Sequence, residues 1–467
     1  MLGLGLGECG RLVTICRLPF HPAGVNAIKR GRKGVSEAVE RGVQYRLAGM
    51  MGGAYAIQGA WWPLLALHMS DLQIPGRARG WIFATLAMAS LFTPLGAGQL
   101  ADRAIAAPRL LAVGYGLGML LLGGMAAGWV TSALPMFLLF LGYWLLNAPT
   151  TGLCGTIALR NLPRPAAQFG LVRMWGTVGW MGTGWLVSAV MLWSGRTREG
   201  QGAYEAFGVG ALLSAFFAAY SFTLPKTPPL HRGGGGERPH FSLAPVLRKR
   251  AVLFVLAVAF GVSLTTPFVY QVVPPYLPTL GLPRPWVALA MSLSQILEIL
   301  ALACLPRILG VLGFRGCMSL GLVAWLAYHG LLATRPPLPL ALAILPIQGL
   351  AIALFHVPLP MLLDTLAPGH LRASTQGLFV MVTTGLGNLL GSLIVGELIS
   401  HAGGVTSRLF LAPLAINGLI LLVACFGFRW AVQTPQVEPT RNNPDQPSSV
   451  EPTMARTRPR ATPAPSV

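Results

Sequence analysis

Long apolar runs, separated by glycine, proline and charged residues, recur along this chain from residue 47 to residue 430. Each run has about the 20 residues that an α-helix needs to cross the hydrocarbon core of a bilayer. The pattern predicts twelve transmembrane helices, at about 47–70, 80–101, 109–129, 133–158, 169–193, 203–223, 251–276, 284–306, 313–334, 338–363, 373–401 and 405–430. We therefore predict an all-α polytopic membrane protein.

Polar segments divide these predicted helices into two sets of six. The longest internal polar segment, 224–250, contains several prolines and a block of four glycines, which favour a flexible linker between bundles at 47–223 and 251–430. The terminal segments, 1–46 and 431–467, are predicted to be disordered. For 1–46, a signal peptide and a natural start at Met50 or Met51 are the alternatives.

The positive charges of the connections predict the orientation. Lys and Arg are more frequent in the terminal segments and in the connections after predicted helices 2, 4, 6, 8 and 10 than in the opposite connections. Because positively charged loops stay in the cytoplasm, we expect both termini there and the chain in the cell membrane, of the bacterial inner type.

Composition agrees with a lipid environment. Only 10% of the residues are charged, against about a quarter in soluble domains. The net charge of +20 lies in the connections and tails, where anionic lipid headgroups explain it better than nucleic acid does. The six cysteines lack the spacing of metal ligands, and no P-loop, GxSxG or HExxH motif occurs. We expect no metal, cofactor or enzymatic activity.

The connection between predicted helices 2 and 3 reads GQLADR and contains Gly98, Asp102 and Arg103. Together with the six-plus-six layout, it resembles the loop signature of the major facilitator superfamily. The resemblance implies two six-helix bundles around a midplane cavity, a gating role for these three residues, and a monomer.

Three further stretches resemble one family of that superfamily, the nucleoside:proton symporters. They are APTTGLCGTIALRNL with VRMWGTVGW within 148–180, MSLSQILEIL at 291–300, and LRASTQGLFVMVTTGLGNLLGSLIVGELI at 371–399. The resemblance implies proton-coupled uptake of a small polar solute, most simply a nucleoside, by alternating access. The alternatives are transport of another organic solute in either direction, or a membrane receptor or scaffold that transports nothing.

Ionisable side chains inside these runs are the candidate site, because each costs about 3 kcal/mol or more in the bilayer core. Arg173, Thr177 and Trp180 share one helix face at i, i+4 and i+7, and Gln295 and Glu298 are i, i+3 neighbours. The resemblance implies that all five bind the substrate, and Glu298 is also the predicted proton site. The alternatives are an arginine reaching the headgroups, a packed tryptophan and a glutamate bonded to another helix.

Two predicted helices depart from the family pattern. Ala353 stands where the family has an aspartate, and His356, one turn further, is predicted either to join in proton coupling or to cap a helix kinked at Pro358. In predicted helix 7, Thr265 replaces a polar residue of the family and Gln271 is expected to compensate for a second replacement. Both are predicted substrate contacts, in a site whose solute can differ from the family's.

Overall fold

A computed structural model describes residues 27–103, 106–163, 165–195, 200–225, 227, 244–368 and 371–431. Within these residues the chain is helical and contains no β-strand. Helix α1 begins at Ala27, so residues 27–46 of the segment 1–46 extend the first apolar helix. Residues 1–26, most of the predicted linker and the tail from 432 lie outside the description.

The elements of the first half follow the first six predicted helices in order. They are α1 (Ala27–Trp61), α2 (Leu65–Asp71), α3 (Gly76–Arg103), α4 (Ala107–Ala126), α5 (Ala133–Asn147), α6 (Thr150–Asn161), α7 (Pro165–Ser194) and α8 (Tyr204–Ser221). A short helix in the predicted linker, α9 (Ala244–Leu247), precedes the second half.

The second half is cut into shorter pieces. They are α10 (Arg250–Ser263), α11 (Thr266–Gln271), α12 (Val273–Thr279), α13 (Val287–Ser292), α14 (Ser294–Ala333), α15 (Leu338–Ala351), α16 (Pro358–Leu366), α17 (Arg372–Val380), α18 (Asn388–His401) and α19 (Leu411–Ala431). Two π-helical segments, Ile352–His356 and Met381–Gly387, join α15 to α16 and α17 to α18.

The breaks inside the predicted helices have local causes. Pro63 lies in the 3₁₀ turn after α1, Pro149 separates α5 from α6, and Pro267 lies in the first turn of α11. Proline lacks the N–H that would continue the helical hydrogen-bond ladder. Gly313 divides α14 with φ +64°, which separates predicted helices 8 and 9. Interrupted helices of this kind are typical of transporter binding sites.

Seven helical stretches of the described chain are long and apolar enough to cross a membrane. They are Ala107–Ala126, Ala133–Asn161, Arg250–Gln271, Arg284–Ala333, Leu338–Leu366, Ser374–His401 and Ser407–Gly427. Arg284–Ala333, at 50 residues, covers two predicted helices. Helices α1, α3, α7 and α8 occupy the other predicted positions but are not among these stretches, so the number of twelve spans stays a prediction.

The most extensive contacts between the halves are those of α3 with α18 and of α7 with α13. Glycine allows the first pair to touch backbone to backbone. A Cβ added to Gly80 would lie 2.7 Å from the Ser392 carbonyl oxygen, and one added to Gly396 would lie 2.7 Å from the Gly76 carbonyl oxygen. Small residues at such crossings let helices pack closely within a bilayer.

Polar contacts between the halves gather at one end, formed by residues 71–80, 184–188, 284–292 and 392–400, which we call the closed end. Arg77 donates two hydrogen bonds of 2.7 Å to Glu397, and Arg284 forms a buried ion pair with Asp71. The Trp185 indole N–H donates to Ser292 Oγ at 2.9 Å. In this conformation the two halves are therefore joined at the closed end.

Candidate functional site

Arg173 is held at the crossing of α1 and α7 by an aromatic ring. Its guanidinium carbon lies 4.1 Å from the centroid of the Tyr55 ring, a cation–π contact. Gly176 leaves the necessary room, because a Cβ there would lie 2.8 Å from Tyr55 Cδ2 and 2.9 Å from an Arg173 guanidinium nitrogen. Arg173 is half-buried in this placement.

Glu298 lies across from Arg173, on α14. The two side chains interact electrostatically. Glu298 also interacts electrostatically with the hydroxyl groups of Tyr55 and Tyr270. Glu298 is half-buried, whereas Gln295, one turn before it, is buried and has a side-chain oxygen with no hydrogen-bond partner among the described groups. The structure thus brings a cation from one half near a carboxylate from the other.

Aromatic rings lie beside this pair. Trp180, on the same helix as Arg173, meets the Tyr270 ring edge to face at 6.4 Å, and Trp62 approaches Tyr270 at 6.0 Å. A cavity of about 110 Å³ between the halves is bordered by Trp62, Tyr270 and the amide side chain of Asn388. Thr177 is half-buried one turn beyond Arg173. These groups offer flat apolar surfaces next to hydrogen-bonding ones.

Two predicted contacts on predicted helix 7 are buried. Thr265 is fully buried, donates to the Val262 carbonyl oxygen at 2.7 Å, and accepts from the Asn417 amide of α19 at 3.2 Å. That use of its hydroxyl links α19 to the break between α10 and α11. Gln271 is also buried, and neither end of its side-chain amide has a hydrogen-bond partner in the described chain.

His356 lies apart from the charged pair. It ends a π-helical segment, meets the Trp325 ring edge to face at 6.0 Å, and borders a separate cavity of about 670 Å³ together with Asp364 and Gln376. Ala353 is fully buried in the same segment. His356 therefore borders a different cavity from the one beside Tyr270, and its role in proton coupling stays a prediction.

The predicted gating residues Gly98, Asp102 and Arg103 belong to the end of α3, but their side chains lie outside the described part of the chain. Their gating role stays a prediction.

The sequence model of the nucleoside H⁺ symporter family matches residues 41–431. The chain belongs to this family. It is 26% identical over 365 residues to the nucleoside permease NupG of Escherichia coli strain K12, covering 74% of this chain and 85% of the relative. It is 26% identical over 388 residues to the xanthosine permease of the same strain, covering 77% of this chain and 88% of the relative.

Solved structures agree with this assignment. The crystal structure of the nucleoside transporter NupG superposes with a TM-score of 0.70 and 25% sequence identity, over 84% of this chain and all of the other (100%). The fold of this nucleoside H⁺ symporter is therefore of the major facilitator type, and the resemblance carried by the three quoted stretches is confirmed.

Two tyrosines of this nucleoside H⁺ symporter were missed from sequence. Tyr55 lies in the stretch GGAYAIQG, where an isolated aromatic between small residues could have signalled a close helix crossing. Tyr270 directly precedes Gln271, to which the predicted polar role had been given. Tyr55 contacts Arg173, and Tyr270 interacts electrostatically with Glu298. No regular spacing in the sequence relates either tyrosine to Arg173 or Glu298.

Proposed function

We propose that this protein takes up nucleosides together with protons by alternating access. The observation that carries the proposal is the placement of Arg173 and Glu298 near one another between the halves, on α7 and α14. We propose further that the chain has twelve spans in bundles at 47–223 and 251–430, a linker at 224–250 and a disordered tail at 431–467. Both termini would be cytoplasmic and the working unit a monomer.

The chemistry of the site suits a nucleoside, which combines a flat base with ribose hydroxyls. The guanidinium of Arg173 supplies several donors in a fixed plane, and Glu298 supplies acceptors. Gln295 and Thr177 can bond to hydroxyl or base edges. The rings of Trp180 and Tyr270 offer surfaces on which a base can stack.

Proton coupling follows from the position of Glu298. A carboxylate closed off from water between the halves is costly while it is charged, and protonation removes that cost. The loaded transporter would therefore close around a protonated Glu298 and release the proton where the cavity opens to the cytoplasm. A proton gradient then drives nucleoside uptake.

Uptake of labelled uridine into liposomes containing the purified protein, with an imposed proton gradient, tests this proposal. We expect uptake that follows the gradient in the wild type and loses its dependence on pH in Glu298→Gln. Asp364→Asn is the matched control, because this half-buried carboxylate near the end of α16 is paired with Arg372 at 3.8 Å. It borders a cavity whose lining includes neither Arg173 nor Glu298. Gradient-driven uptake that persists in Glu298→Gln would exclude the coupling role.

Transport of a different organic solute is the second candidate, because Ala353 is buried where the family resemblance leads us to expect an aspartate. Competition of labelled uridine by a panel of unlabelled nucleosides, sugars and amino acids separates the two. Inhibition by nucleosides alone would support nucleoside transport. If no nucleoside is taken up, transport of a different organic solute becomes the favoured proposal. A scaffold would show no gradient-driven uptake at all.

A further inference from the structure

A second cavity lies in the C-terminal half, at the same end of the molecule as the closed end. Its volume is about 650 Å³. It is bordered by the ends of α12, α14 and α18 and the beginning of α19, and its lining includes Thr279, Arg335, His401, Thr406, Ser407 and Arg408. Its lining includes neither Arg173 nor Glu298, nor the aromatic rings beside them, so this cavity is distinct from the proposed nucleoside site.

The two arginines of this cavity differ from their neighbours at that end of the molecule. Arg77 is bonded to Glu397, and Arg284 is paired with Asp71. Within the described chain, Arg335 and Arg408 have no acidic partner, and the cavity has no acidic lining residue. His401 also faces the cavity, and its ring contacts Glu397, whose carboxylate is already held by Arg77. The cavity therefore carries uncompensated positive charge.

The backbone of Arg335 adds an independent observation. It follows α14 with φ +55°, in the left-handed region that helix ends normally give to glycine. A non-glycine residue held there costs about 1 kcal/mol or more, and such strain is concentrated at binding sites. The conformation starts the connection to α15 and leaves the Arg335 side chain on the border of the cavity.

We propose that this cavity binds a phosphate-type anion. Two guanidinium groups can bond bidentately to phosphate oxygens, and the hydroxyls of Thr406 and Ser407 can donate further hydrogen bonds. The anion has two sources, inorganic phosphate from solution and the headgroup of an anionic phospholipid at the membrane surface. Both present the same charged oxygens to Arg335 and Arg408.

Titration calorimetry of the detergent-purified full chain with inorganic phosphate, at constant ionic strength against chloride, tests the first source. We expect binding by the wild type that weakens at least tenfold in Arg335→Gln/Arg408→Gln. Arg335→Lys/Arg408→Lys keeps the charge and should retain part of the affinity. Arg248→Gln/Arg307→Gln removes two exposed arginines that do not border this cavity and should bind as the wild type does.

Nanodiscs test the second source. Native mass spectrometry on protein from nanodiscs containing phosphatidylglycerol should show retained lipid with the wild type and less with the glutamine double variant. Loss of phosphate binding in that variant identifies a free anion, and loss of retained phosphatidylglycerol alone identifies a headgroup. Equal binding of both ligands by the wild type and this variant, or binding of neither, would overturn the proposal.

Discussion

Arg173 is positioned by Tyr55, and no carboxylate of the described residues forms an ion pair with it. A cation held over a ring keeps its hydrogen-bonding edge free, because the ring attracts the charge through its face. The guanidinium can therefore point its donors at a bound solute while the acidic partner, Glu298, approaches from the other half. Tyr55 is a positioning residue in this arrangement.

Replacing Tyr55 tests that role. We expect Tyr55→Leu to raise the KM for uridine about fivefold, which corresponds to a lost cation–π contact of about 1 kcal/mol. Tyr55→Phe keeps the ring and should change KM much less. Equal increases in both variants would show that the hydroxyl, and not the ring, is what the site needs.

Thr265 shows what sequence can and cannot predict at this scale. Its polarity within an apolar run and the family resemblance predicted a substrate contact, whereas the structure uses its hydroxyl in a contact between helices. Its partner is Asn417, 152 residues away, and nothing in the local pattern distinguishes that amide from a solute. Arg173 and Glu298 were predictable as a pair of costly charges, whereas Tyr55 required knowledge of which helix faces meet.

At the scale of elements, the close crossing of α3 and α18 depends on glycine residues, which have no side chain. We expect Gly80→Ala to lower the melting temperature of the purified protein, because its methyl group would overlap the Ser392 carbonyl oxygen and force the helices apart. Gly142→Ala in α5 is the matched control, since a Cβ there meets nothing within 4 Å. An equal melting temperature for Gly80→Ala and the wild type would show that α3 and α18 can move apart without loss of stability.

The lengths of the apolar runs predicted the positions of the helices much better than they predicted the breaks within them. Each predicted position coincides with a helical segment of the described chain, because a chain in lipid must satisfy its backbone hydrogen bonds internally. The short helix α9 lies in the predicted linker. The breaks at Pro63 and Pro149 could have been predicted from the sequence, because proline interrupts a helix. The π-helical segments were not, since they depend on how α15 and α17 pack against neighbours distant in sequence.

At the scale of the whole molecule, the ion pair between Asp71 and Arg284 joins the halves from nearly buried positions. Removing one member leaves the other charge uncompensated, which costs about 3–5 kcal/mol in comparable buried pairs. We expect Asp71→Asn or Arg284→Gln to shift the population away from the closed-end conformation. Arg77→Gln, which breaks an exposed pair, should shift it less.

Distances between spin labels on cysteines placed at Gln201 and Thr406, in a background without other cysteines, would report this shift. The charge-swapped double variant, Asp71→Arg/Arg284→Asp, should restore only part of the closed population. Asp71 also accepts hydrogen bonds from the backbone at Gly200 and Gly202, which an arginine cannot replace. An unchanged distance distribution in both single variants would rule out this pair as a determinant of closure.

The same ion pair has a thermodynamic consequence for accumulation. In the proposed alternating-access cycle it is broken and re-formed once, so its free energy cancels between the start and the end of that cycle. The steady-state ratio of nucleoside inside to outside is then set by the proton gradient and stoichiometry alone. Changes at Asp71 or Arg284 alter the rate at which that ratio is approached and leave its final value untouched.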